Sequence, residues 1–173
     1  VIVMLLLCAC ECPDRSITVN ELCRLSFDPD TSQRIVIDCL RSACTSVDIA
    51  LYGFDNEPVA DEVIAAARRG VRVRCVSEYD SESSASWQRL IAESRQNSSV
   101  SLRVTFGNTS GIMHNKYFII DGVYLISGST NLTPGMYRHF NNLVLIKSPA
   151  LAAEYLLDFE VMFAGYNAAA KGN

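Results

Sequence analysis

Residues 113–132 read MHNKYFIIDGVYLISGSTNL. Two apolar, β-rich runs flank Asp121-Gly122, the dipeptide favoured in tight hairpins, so the pattern predicts strands over Lys116 to Ile120 and Val123 to Ser127. Side chains at i and i+2 share a strand face, which sends His114 and Lys116 the same way while Asn115 points away. Burying an imidazole and an ammonium without partners costs on the order of several kcal/mol. The pair therefore implies an anionic ligand or a lined cleft. The returning strand brings Ser129 and Asn131, again two apart, alongside the first, so four polar groups are expected to converge. A lysine and neutral hydrogen-bonding side chains suit phosphate oxygens. The competing reading is a polar hairpin edge without catalysis.

Outward from this hairpin, the chain alternates strand and helix patterns. Leu22 to Phe27 reads as a strand, and FDPDTS supplies turn residues and an N-cap for a helix from about Gln33 to Ala43, whose Ile35, Val36, Cys39, Leu40 and Ala43 follow helical spacing. Ser46 to Phe54 reads as a central strand. A helix from Pro58 to Arg69 follows, closed by Gly70. Val71 to Ser77 alternates as a strand with one covered face, then come a loop, a helix from about Ala85 to Arg95, a strand from Ser99 to Phe106 and the loop GNTSGI. Thr133-Pro134 offers an N-cap with proline at the first helical position. A strand from Asn142 to Ile146 and a helix from about Pro149 to Phe163 complete the chain. This alternation predicts an α/β fold, a mixed β-sheet with helices packed on both faces.

The pattern H-x-K-x4-D, then six residues and G-S-x-N, carried by His114, Lys116, Asp121, Gly128, Ser129 and Asn131, resembles the HKD motif of the phospholipase D superfamily. The run VDIALYGFDNEPVADEVIAAARRGVRVRCVSE is similar to the strand-helix-strand unit of small members, and the resemblance extends roughly from Leu22 to Phe163. It implies a metal-independent phosphodiesterase with no cofactor: His114 as nucleophile through a phosphohistidine, Lys116 on the transition-state oxygens, and Lys116, Ser129 and Asn131 on the substrate phosphate. Asp121 belongs to this catalytic set by the motif, with an orienting role. The Asp-Gly turn accounts for it equally well. The family builds one site from two motifs and this chain has one, so the resemblance implies a two-fold homodimer with two copies of His114 at one cleft. His139 lacks a lysine two residues on and reads as a rim residue. Asn141 and Asn142 stand where relatives often carry a glutamate that braces the histidine.

Composition narrows the setting. With 173 residues, 49% hydrophobic and 20% charged, the chain reads as globular, and a net charge of −4 argues against holding nucleic acid by bulk positive charge. The superfamily includes nucleases, phospholipases and inactive relatives. Arg68, Arg69, Arg72, Arg74 and Arg103 could contact phosphates and favour an endonuclease, or are ordinary solvated charge. An acidic balance and the apolar start VIVMLLLCACEC favour a phospholipid such as cardiolipin. A noncatalytic phosphate-binding module is the third reading. Residues 1–21 are read as a signal or membrane-tether segment and 22–173 as one catalytic domain. Leu7-Cys8-Ala9-Cys10 resembles a lipobox, which implies export with Cys10 lipidated. The seven cysteines, at 8, 10, 12, 23, 39, 44 and 75, lack the CxxC spacing of a zinc site. Disulfide pairing in an oxidising compartment and small buried core residues at Cys39, Cys44 and Cys75 both remain open.

Overall fold

A computed structural model describes residues 23–98, 100–107 and 112–170. Among them the chain runs β1 (Cys23–Ser26), α1 (Pro29–Ser42), β2 (Ser46–Leu51), α2 (Glu57–Arg68), β3 (Arg72–Ser77), α3 (Ala85–Gln96), β4 (Leu102–Phe106), β5 (Lys116–Ile120), β6 (Tyr124–Gly128), β7 (Leu143–Lys147) and α4 (Pro149–Ala170). Seven strands form one sheet in the order β1-β7-β6-β5-β2-β3-β4. The pairs β2–β3 and β3–β4 are parallel, and the rest are antiparallel. The mixed sheet is the predicted one.

Helices cover both faces because alternate strand residues are apolar on both. Val47, Ile49 and Leu51 of β2, with Phe118 and Ile120 of β5, pack with α1, α2 and α3, including Leu40, Val63 and the fully buried Trp87. Ala50, Tyr117, Ile119 and Leu125 point the other way, against Ala152 and Phe159 of α4. The cysteine alternatives divide here. Cys39 and Cys75 are free thiols buried in the first core, whereas Cys44 is half-buried and disulfide-bonded.

Helix starts follow capping. Asp28 accepts the Thr31 N–H at 2.7 Å, so α1 begins at Pro29, ahead of the predicted Gln33. Helix α4 continues past Phe163 to Ala170. The segment after Thr133 corrects the sequence reading. It makes only a short 3-10 turn, Pro134–Tyr137, and Thr133 gives no side-chain cap. The physical reason is span: Leu132 is tied by its carbonyl to the Asp55 N–H, and the chain must reach β7 by Leu143. The tether or lipobox at residues 1–21 and the loop positions 108–111 lie outside the described residues.

Candidate active site

The β5–β6 hairpin closes as predicted. Asp121 (φ 55°) and Gly122 (φ 65°) are both left-handed, as a type I′ turn requires, and the Val123 N–H donates to the Ile120 carbonyl at 3.0 Å. At the other end of β5, Lys116 pairs with Leu51 at the C-terminal end of β2. His114 lies just ahead of the strand and is exposed. Lys116 turns back and donates from Nζ to the His114 carbonyl at 2.8 Å.

The motif residues thus separate into two groups. His114 and Lys116 share the open end of the sheet. Asp121 lies at the opposite end of β5, roughly 20 Å away at strand rise. Its carboxylate accepts the backbone N–H groups of Cys44, Thr45 and Ser46 and the Thr45 hydroxyl, which pins the hairpin to the start of β2. It therefore orients the hairpin and does not meet His114.

Ser129 and Asn131 return to the His114 end on the hairpin, as expected, but lie just beyond β6 rather than on it. At Gly128 (φ 149°) an added Cβ would sit 2.2 Å from the Asn142 carbonyl oxygen, so only glycine lets β6 lie against β7 there. The Ser129 N–H donates to the Asn142 side-chain oxygen at 3.0 Å, and the Ser129 hydroxyl donates to Asn141 Oδ1 at 3.2 Å. The two asparagines that replace the expected glutamate therefore hold Ser129. A recess beside it is lined by Lys116, Gly128, Thr130 and Asn142. Asn131 packs against Gly53, and its buried Oδ1 has no hydrogen-bond partner. Such an orphan acceptor costs about 1–3 kcal/mol unless a donor arrives. Neither Ser129 nor Asn131 bonds to Lys116 or His114, so the predicted four-way convergence is looser than expected.

Sequence reasoning missed two residues. Tyr52, one step past β2, sets its ring 4.6 Å from the His114 ring at 57°, and the Lys116 ammonium lies 5.3 Å from the Tyr52 centroid. Glu78, just past β3, is buried and accepts the Met113 N–H at 2.6 Å. Burial also lowers the pKa of Lys116 from the ordinary 10.5, because removing water disfavours the ammonium. His139 is exposed after the 3-10 turn, as a rim residue would be.

Four of the five arginines read as phosphate contacts are engaged elsewhere. Arg68 pairs with Glu93, Arg69 donates to the Leu40 carbonyl, and Arg72 and Arg74 bracket the buried Asp48. Arg74 also reaches Glu160 at 2.8 Å and lies over Phe159. Arg103, in register with Arg74, is exposed. Asp48 pairs with Ile119, three residues along β5 from Lys116, so this charge network sits away from the His114 end.

Residues 36–163 match the family model described as cardiolipin synthase, PLD-like domain. The chain belongs to the phospholipase D superfamily. Among superfamily relatives, it is 30% identical over 142 residues to a mitochondrial cardiolipin hydrolase of Chlamydomonas reinhardtii, covering 82% of this chain and 61% of that protein. It is 26% identical over 145 residues to a phospholipase D of Rickettsia prowazekii (strain Madrid E), covering 80% of this chain and 68% of that one. The crystal structure of Nuc, a phospholipase D family member from Salmonella typhimurium, superposes with a TM-score of 0.71 at 26% identity, over 82% of this chain and 93% of Nuc. The chain thus spans about three-fifths of the first of these curated relatives and nearly all of Nuc.

Proposed function

We propose that the protein is a metal-independent phosphodiester hydrolase in which His114 attacks phosphorus. The observation that carries this reading is that the exposed His114 ring and the half-buried Lys116 ammonium both lie against the Tyr52 ring, with Lys116 bonded to the His114 carbonyl, at the end of the sheet. A ring nitrogen of His114 forms a bond to phosphorus as the leaving oxygen departs, and Lys116 stabilises the equatorial oxygens. A second imidazole must protonate the leaving oxygen, then take a proton from the water that cleaves the phosphohistidine. Within these 173 residues His114-x-Lys116 is the one H-x-K, and this reading takes the second imidazole from His114 of a second copy. Ile112 and Phe140, large apolar side chains exposed at this end, offer contact area for such a dimer.

We take nucleic acid as the substrate. Tyr52 and the exposed Tyr79 and Tyr137 at the same end suit stacking with unpaired bases, with Arg138 next to Tyr137. The lipid reading is favoured by the curated relatives, which are named for cardiolipin hydrolysis and phospholipase D, and by the apolar Ile112 beside His114.

Incubation in chelator with single-stranded DNA, duplex DNA, RNA and cardiolipin vesicles separates these readings. Cleavage of a nucleic acid is expected, and consumption of cardiolipin alone overturns that choice. Folded His114→Asn should consume none of the four, and retained turnover would end the proposal.

We also propose export, on the apolar start, Leu7-Cys8-Ala9-Cys10 and the disulfide at Cys44, a bond that an oxidising compartment permits. Expressed from its full gene in bacteria, the protein should fractionate with membranes or periplasm, and Cys10→Ser should release it from the membrane. Wholly cytosolic protein contradicts this reading.

A further inference from the structure

The segment 112–115 has no strand partners of its own, yet it carries His114. Besides the Lys116 bond to the His114 carbonyl and the Asn115 side-chain contact with Asp158, its backbone is held on both sides of His114. On one side, the Tyr52 N–H donates to the Asn115 carbonyl at 2.9 Å. On the other, Glu78 reaches from the end of β3 and accepts the Met113 N–H at 2.6 Å. Glu78 and Met113 are each 5% exposed, and Met113 packs in the core beneath α4. A carboxylate is a costly group to bury, and a backbone N–H in the same place would be orphaned without it. The short bond links the last residue before His114 to the end of the parallel strand β3. Among the described residues the exposed imidazole has the Tyr52 ring as its ring contact, and the backbone on either side is what fixes its place.

We infer that Glu78 is a positioning residue for His114. It acts through Met113 and does not touch substrate. This rests on the proposed role of His114. Displacing a nucleophile by about 1 Å costs on the order of a hundredfold in rate while leaving substrate binding little changed.

The test uses the full chain and bis(p-nitrophenyl) phosphate, with melting temperature measured on every variant. Glu78→Gln keeps an acceptor oxygen at the same reach. Glu78→Met keeps the length without one. Expected are a kcat for Glu78→Met lower by about thirtyfold or more with KM within about twofold, and a Glu78→Gln kcat within about threefold of the parent. Glu78→Ala replaces the Met variant if the latter does not fold. A folded Met or Ala variant with near-parental kcat overturns the inference, as does a Gln variant that loses as much as Met. Loss of fold in both Met and Ala makes Glu78 a stability residue and overturns it too. His114→Asn run in parallel separates the two levels: if that variant still cleaves the diester, the parent reading falls and this one with it.

Discussion

Lys116 shows how a single residue couples burial to chemistry. In the proposed mechanism its ammonium stabilises the transition state, and burial lowers its pKa below the ordinary 10.5. Activity is therefore expected to fall, as pH rises, before an exposed lysine would titrate. The stability contribution has the opposite sign. Between the lowered folded pKa and the unfolded value the unfolded chain binds more protons, so stability rises with pH across that window. An NMR titration of the Lys116 side chain checks the lowered pKa, because the alkaline limb of kcat is shared with the imidazole pair, and a titration no lower than that of free lysine contradicts it. Lys116→Ala should lower kcat by on the order of a hundredfold or more, with KM little changed. A pure KM effect would make Lys116 a binding residue only. Asp121 should behave in the reverse manner. Asp121→Asn tolerates the left-handed backbone but halves the carboxylate that holds Cys44, Thr45 and Ser46. It should cost about 1–3 kcal/mol of stability and leave kcat of the folded fraction within about threefold. Thermal denaturation and initial rates decide this, and a loss of several orders in kcat without destabilisation would return Asp121 to the chemistry.

At the scale of elements, the site depends on which strand ends meet. The hairpin was legible because Asp121-Gly122 and its flanking β-rich runs are local signals, and the parallel β2-α2-β3 unit was legible because a capped helix separates two apolar strands. The environment of His114 was not, since it is made by pairs distant in sequence. Leu51 against Lys116 places Tyr52 beside the imidazole, and the end of β3 places Glu78 under Met113. No periodicity encodes either contact. The same holds for the arginines. In sequence, Arg72 and Arg74 are a basic alternation compatible with phosphate binding. In the sheet, Asp48 of the neighbouring strand and Glu160 of α4 engage them. A buried aspartate left without these partners would cost several kcal/mol by the usual desolvation penalty, roughly, which is why both arginines turn inward. The 3-10 turn after Thr133 failed for a different reason. The Thr133-Pro134 signal was local, but Thr133 makes no side-chain cap and the segment forms only the turn Pro134–Tyr137 before it returns to β7.

For the whole molecule, the proposed mechanism leaves one chain with half of an acid and nucleophile pair at an exposed end of its sheet. The large apolar side chains exposed there, Ile112 and Phe140, are expected to be covered when two copies face each other about a two-fold axis. The first half-reaction needs one imidazole neutral and the other protonated, so the pH dependence belongs to the pair. Subunit mixing tests this account most directly. Parental protein and His114→Asn are combined in equal amounts, allowed to exchange at random, and assayed on the substrate the panel identifies, with light scattering to confirm dimers. Roughly a quarter of dimers then carry His114 on both sides. The account predicts activity near that quarter, below the half expected of independent subunits. Activity that scales linearly with the fraction of parental subunits, or a fully active monomer by light scattering, would contradict the shared site.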